Sequence, residues 1–60
     1  PYEYQQTVIG SNCYLAPNVI IAKGVTLGDG CIVGANSFVN KSFVAGSKIA
    51  GNPAKLIRTL

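Results

Sequence analysis

Aliphatic residues recur at every sixth position from Ile9: Ile9, Leu15, Ile21, Leu27, Val33 and Val39. The position after each is small: Gly10, Ala16, Ala22, Gly28, Gly34 and Asn40. Three residues past each aliphatic stand Asn12, Asn18, Gly24, Gly30, Asn36 and Ser42. All but the last are Gly or Asn, the residues that best tolerate a left-handed backbone. A fourth column, Cys13, Val19, Val25, Cys31, Ser37 and Phe43, is small or apolar and suits a narrow interior.

A 3.6-residue helix would smear these columns over every face. A period of two divides six, so short strands are allowed, provided that each is broken by a corner. The solution is a coil with three flat sides, one hexapeptide per side and about 18 residues per turn. Ile9 then lies under Leu27, Leu15 under Val33 and Ile21 under Val39, with backbone groups pairing between coils as in a parallel sheet. The pattern predicts two complete coils from Ile9 to about Val44. Residues 3–8 would form the last side of an earlier coil, with Glu3 where an aliphatic residue belongs. After Phe43 the register stops, and a loop leads to a tail over 49–58 in which Pro53 ends sheet pairing at its own position. The expected division is therefore 1–44 as the C-terminal coils of a longer prism and 45–60 as a C-terminal loop and tail. The other end of the prism leaves an open row of N–H and C=O groups, most simply covered by more coils of the same protein.

Composition narrows the function classes. The 60 residues are 48% hydrophobic and 12% charged, unlike a disordered charged tail. No apolar run reaches the roughly 18 residues of a membrane span, and no basic start followed by an apolar stretch marks a secretory signal. The chain begins with Pro1, as expected of a fragment or a processed product. The net charge of +3 comes from Lys23, Lys41, Lys48, Lys55 and Arg58 against Glu3 and Asp29, so the surplus lies between Lys41 and Arg58. Nucleic acid would call for a denser basic patch with interleaved aromatics. A small anionic ligand fits better; the plainer alternative is a set of solvated side chains that keep a sticky domain soluble. There is no His, which removes the commonest general base and metal ligand. Cys13 and Cys31 match no zinc spacing. They should stack in adjacent coils, close enough for a disulfide, although two buried thiols are expected.

The runs Ile9-Gly10-Ser11-Asn12-Cys13-Tyr14-Leu15-Ala16, Gly24-Val25-Thr26-Leu27-Gly28-Asp29-Gly30 and Val33-Gly34-Ala35-Asn36-Ser37 resemble the hexapeptide-repeat acetyltransferases. The tail Ile49-Ala50-Gly51-Asn52-Pro53-Ala54-Lys55-Leu56-Ile57-Arg58 is similar to the C-terminal signature of the maltose, galactoside and serine O-acetyltransferase branch. The resemblance covers about residues 7–58. It implies an all-β fold, the left-handed parallel β-helix, and it supplies the handedness, since ordinary crossovers favour the right hand. It also implies a homotrimer that binds acetyl-CoA, with no metal, in the groove between neighbouring prisms.

Carried over by position, the backbone at Pro17 and Ala35 would line the pantetheine path. Asn40 and Lys41 would lie near the adenine nucleotide, and Lys55 and Arg58 would meet its phosphates. Small residues at Ala22 and Ala35 would let the thioester arm approach the backbone. Tyr14 stands where many relatives have Trp, beside the acceptor or thiol end. Some positions depart from the pattern: Pro17 has no N–H, Asn40 replaces Thr, Lys55 stands for Arg as a point charge, and Val44 and Ala45 replace a Pro-rich turn. The family's catalytic His belongs to a coil N-terminal to these residues.

The resemblance thus implies the C-terminal part of a cytoplasmic, CoA-dependent O-acetyltransferase acting on a sugar or similar hydroxyl, with part of the CoA groove here and no catalytic residue. Neither a nucleic-acid nor a membrane partner is expected, and the chain by itself is expected to lack activity. The alternative is a non-catalytic β-helix module or remnant that only trimerises. A γ-class carbonic anhydrase would need several His ligands, and an ice-binding helix a regular Thr array; Thr7, Thr26 and Thr59 form none.

Overall fold

The computed structural model describes residues 6–59. It contains strands β1 (Val8–Ile9), β2 (Tyr14–Leu15), β3 (Ile20–Ile21), β4 (Thr26–Leu27), β5 (Ile32–Val33), β6 (Phe38–Val39), β7 (Ser47–Gly51) and β8 (Ala54–Thr59). The first six hold two residues each, and the second of each pair is an aliphatic of the six-residue column. β1 pairs with β4, β2 with β5 and β3 with β6, all parallel, setting Ile9 beside Leu27, Leu15 beside Val33 and Ile21 beside Val39. These are the three sides and the three stacks expected of a left-handed parallel β-helix. Bonds such as Gly10 N–H to Leu27 C=O and Ala16 N–H to Val33 C=O, at 2.9 and 3.0 Å, carry each ladder into the next corner. The part of the expectation that concerns residues 3–5 lies outside the described residues.

Between the sides the chain turns at positive φ: Asn12 at 61°, Asn18 at 64°, Gly24 at 80°, Gly30 at 72° and Asn36 at 61°. The predicted corner column holds at these five positions. At Ala16–Val19 the second turn residue is Pro17 and the third is Asn18, the order that a type II turn favours.

The structure departs from the expected pattern after Val39. Leu27 bridges to Phe43, and Val33 pairs with Ile49, so the offset between coils falls from eighteen residues to sixteen. The side that follows β6 is two residues short. Phe43 therefore sits above Leu27 and not in the Cys31 column. Ser42 is not among the positive-φ residues, so that corner turns without one, and Gly46, at 76°, makes the next corner, over Gly30. Ser47 then takes the small inward position and Ile49 the aliphatic one, and both are buried. Where a loop was expected after Val44, parallel pairing resumes at Lys48 and Ile49. Each side pairs only with the strands directly below and above it, so a coil can lose two residues at one corner and re-enter the ladder.

Leu27, Val33, Val39 and Ile49 form the core with Val25, Cys31 and Ala54. Ile9 and Leu15 point the same way yet are 39% and 40% exposed, because among the described residues no coil lies beneath them. At the other end β8 folds back antiparallel on β7, through Asn52 and Pro53, giving a sheet ordered β2-β5-β7-β8. Gly51 pairs with Ala54, so Pro53, which has no N–H, falls outside the ladder as expected. The Asn52–Pro53 peptide is cis.

The small column has a packing reason. A Cβ at Gly28 would lie 2.6 Å from the Ala45 Cα, whereas one at Gly30 would meet nothing within 4 Å. Gly28 is thus fixed by space and Gly30 by φ. Gly28→Asn should destabilise the protein by about 1–3 kcal/mol through overpacking. Gly30→Asn should stay close to wild type, since Asn already makes three of the corners. Urea unfolding of both variants checks this, and equal losses would contradict the assignment.

Candidate functional site

The outer face of the β2-β5-β7-β8 sheet carries three of the seven predicted site residues, Tyr14, Lys55 and Arg58. Alternation from the inward Leu15–Val33–Ile49 stack turns Tyr14, Ile32 and Lys48 outward, one above the next. Ala16, Gly34 and Ala50 form a second outward column; a Cβ on Gly34 would meet the Ala50 Cβ at 3.0 Å. β8 completes both columns, with Arg58 opposite Lys48 and Lys55 opposite Ala50. One column therefore reads Tyr14, Ile32, Lys48, Arg58, and the other Ala16, Gly34, Ala50, Lys55. With neighbouring strands about 4.8 Å apart, the face is about 14 Å long and runs from an aromatic end to a cationic one.

Lys55 and Arg58 are three apart and would point to opposite faces of a regular strand. A bulge prevents this. Ile49 pairs with Leu56 and Lys48 with Arg58, leaving Ile57 as the extra residue. The alternation resets, and both cations face outward. The family resemblance puts both Lys55 and Arg58 at the phosphates, and the bulge is what gives them a common face. The sequence placed Lys48 in the basic surplus but gave it no role of its own in the site. Its signal was the alternation Ser47-Lys48-Ile49-Ala50, which marks a strand with Lys48 on the outer side.

Pro17 and Ala35 stack at the corner that adjoins the Ala16–Gly34 column, joined by Asn36 N–H to Pro17 C=O at 3.1 Å. Pro17 thus offers no N–H, and its carbonyl is occupied in the stack. Asn40 and Lys41 are exposed, in the turn after β6 and above the Lys23–Gly24 turn. They lie one prism side away from Ala35, so within a single chain they do not join the face that carries Lys55 and Arg58. Ala22, in that same distant corner, is half-buried and bonded through its N–H to Val39 C=O. Tyr14 is 61% exposed, free to meet a ligand or another chain.

The hairpin that carries the cations is tied down from within. Ser37 Oγ is buried, donates to Gly34 C=O at 2.7 Å and accepts from Gly51 N–H at 3.1 Å. Ser47 Oγ donates to Val44 C=O at 2.7 Å. The cysteines are unbridged, but only Cys31 is buried; Cys13, in the lower coil, is half-buried. Cys13 Sγ donates to Gly28 C=O and Cys31 Sγ to Val44 C=O, each at 3.3 Å. Asp29 is the one acid among the described residues, and its Oδ1 accepts from Ser11 N–H at 2.8 Å. No cavity is enclosed among the described residues, so the candidate site is an open face.

Residues 6–41 match the family described as bacterial transferase hexapeptide (six repeats). The chain belongs to this family. WcaF of Escherichia coli strain K12, assigned as a colanic acid biosynthesis acetyltransferase, is 55% identical over 51 residues, which are 85% of this chain and 28% of WcaF. A hexapeptide-repeat acetyltransferase of Vibrio cholerae O1 biovar eltor, solved with acetyl coenzyme A, superposes with a TM-score of 0.90 at 36% identity, over 93% of this chain and 31% of that one. A galactoside acetyltransferase solved with coenzyme A gives a TM-score of 0.89 at 36% identity, over 92% of this chain and 28% of that one. The chain thus spans less than a third of the length of each of these relatives.

Ser37→Ala should leave the Gly51 N–H without its partner, at a cost of about 1–3 kcal/mol. Hydrogen exchange at Gly51 should accelerate well before that at Val33. Unchanged protection at Gly51 would show that the hydroxyl does not hold the hairpin.

Proposed function

We propose that this chain is the C-terminal part of a CoA-dependent O-acetyltransferase that moves acetyl from acetyl-CoA to a hydroxyl, most simply that of a sugar. Its share of the work is one wall of the CoA groove. The observation that carries this reading is the outer sheet face: Lys55 and Arg58 on one side of β8, at the end of a face that runs along the prism axis past Ala35 and Pro17. CoA is a linear molecule with its phosphates at one end and its thiol at the other, and the face has the matching polarity. On this reading the pantetheine arm follows the Pro17–Ala35 corner, Tyr14 borders the thiol or acceptor end, and Lys55 and Arg58 hold phosphate oxygens.

A homotrimer fits this reading. Asn40 and Lys41 are separated from Lys55 and Arg58 within one chain, and a neighbouring prism would bring its own Asn40 and Lys41 to the adenine end of the groove. Chemistry needs a base that these residues do not hold, since the sequence has no His. The family resemblance puts that base in a His of an N-terminal coil. There it would take the acceptor hydroxyl proton as the oxygen attacks the thioester carbonyl and the CoA thiolate departs. The lack of His within the chain also favours a second reading, a trimerising β-helix segment without catalysis.

CoA titration separates the two. CoA should bind with an affinity that falls as ionic strength rises. Lys55→Ala and Arg58→Ala should each weaken binding about tenfold, the loss of one charge-assisted contact. If a protein with Lys41, Lys55 and Arg58 all changed to Ala bound CoA as tightly as wild type, the groove assignment would fail and the second reading would stand.

A further inference from the structure

We propose that Lys48 completes a three-cation anion site with Lys55 and Arg58, built to take the phosphates of the acyl donor's nucleotide. The identity of the ligand rests on the function proposed above, whereas the anion chemistry rests on the sheet itself.

The antiparallel register sets Lys48 directly opposite Arg58. Like charges in that relation destabilise a sheet. The bulge makes the pairing. Without the bulge, continuing the register from Ile49–Leu56 would place Ile57 opposite Lys48 and Arg58 opposite Ser47, on the inner face. Lys48 would then have an apolar neighbour and Arg58 would point inward. With the bulge, two cations stand side by side, and Lys55 lies beside Ala50 on the same outer face.

Nothing in the described chain neutralises them. The carboxylate of Asp29 is bonded to Ser11 N–H, and no ion pair joins it to Lys48, Lys55 or Arg58. Lys48 is half-buried and lies next to Ile32, so its stem can pack while its ammonium reaches out. The Lys48 and Arg58 backbones are about 5 Å apart across the ladder, and Lys55 is one outward position along. Three donors at that spacing suit the oxygens of one phosphate or of a diphosphate, with Arg58 as the fork and the lysines as point charges. A bound anion would relieve the repulsion that the register imposes.

The test pairs stability with binding, because this arrangement predicts opposite signs. Inorganic pyrophosphate and CoA are titrated separately into wild type, Lys48→Gln and Lys48→Glu, and thermal unfolding is followed without ligand. Both variants should unfold at a higher temperature than wild type, Lys48→Glu more so through its new pair with Arg58. Lys48→Gln should bind both ligands on the order of tenfold more weakly and with a shallower salt dependence, and Lys48→Glu more weakly still. Unchanged pyrophosphate affinity in Lys48→Gln overturns the inference. So does a variant that loses affinity and also unfolds at a lower temperature, since that is damage to the hairpin. CoA binding that depends on Lys55 and Arg58 but not on Lys48 overturns this inference and spares the proposed function. Pyrophosphate binding that depends on Lys48, in a protein that binds no CoA, supports the anion site and overturns the proposed function.

Discussion

A strand two residues long has almost no stability of its own, so everything here depends on the corners that return the chain to the ladder. Each inward aliphatic meets its partner only if the backbone turns left-handed three residues later. That conformation costs an ordinary L-residue about 1–2 kcal/mol and costs Gly and Asn much less. Asn12, Asn18, Gly24, Gly30 and Asn36 meet that requirement. Once they turn, the N–H groups of Val8, Gly10, Tyr14, Ala16, Ile20 and Ala22 all reach carbonyls of the next coil at about 3 Å. The hydrophobic stack follows from the corners, because burial of Leu27, Val33 and Val39 requires that coils superpose side on side.

The same constraint explains how the ladder survives a change of length. Between Val39 and Phe43 the chain skips a third of a side, and no positive-φ residue marks the place. That corner is made without a left-handed residue; Gly46 then turns left-handed at the next one, over Gly30, and Ile49 drops onto Val33. What must be kept is the return of the chain onto the side beneath; one corner can be shortened and turned without a left-handed residue so long as the next side lands on its ladder. β7 then runs to five residues and takes β8 as an antiparallel partner.

The fold was largely legible because its rule is periodic. The four columns gave the three stacks, the corners and the inward cysteines from residue type alone. Reading in one fixed frame also explains the miss. A two-residue shortening moves every later position, so Phe43 fell into the wrong column, Ser42 was read as a corner, and the strand over Ser47–Gly51 was read in part as a loop. The site was legible where it depended on the same arithmetic: Pro17 and Ala35 differ by eighteen and stack. Ala35 and Lys41 differ by six, which already places them on successive corners. What the sequence could not convey is the hairpin register. Nothing in Leu56-Ile57-Arg58 announces a bulge, and without it Lys48 and Arg58 have no reason to be neighbours.

The positive surplus near the end of the chain has a plainer explanation than ligand binding, and the topology tests it. Charged residues on an edge strand discourage pairing with other chains, and β8 is such an edge among the described residues, so Lys55 and Arg58 could serve there as guards. Lys48 does not fit that account. It lies in β7, a strand paired on both sides, with β5 below and β8 above. An interior strand has no open edge to protect, and solubility would be served as well by a lysine in any corner turn. A half-buried cation held opposite an arginine lowers the stability of the hairpin that carries it. Leu56 and Ile57, about half exposed, do little to offset that through burial. On the reading proposed here, the stabilising partner for those two charges comes from outside the hairpin and is an anion.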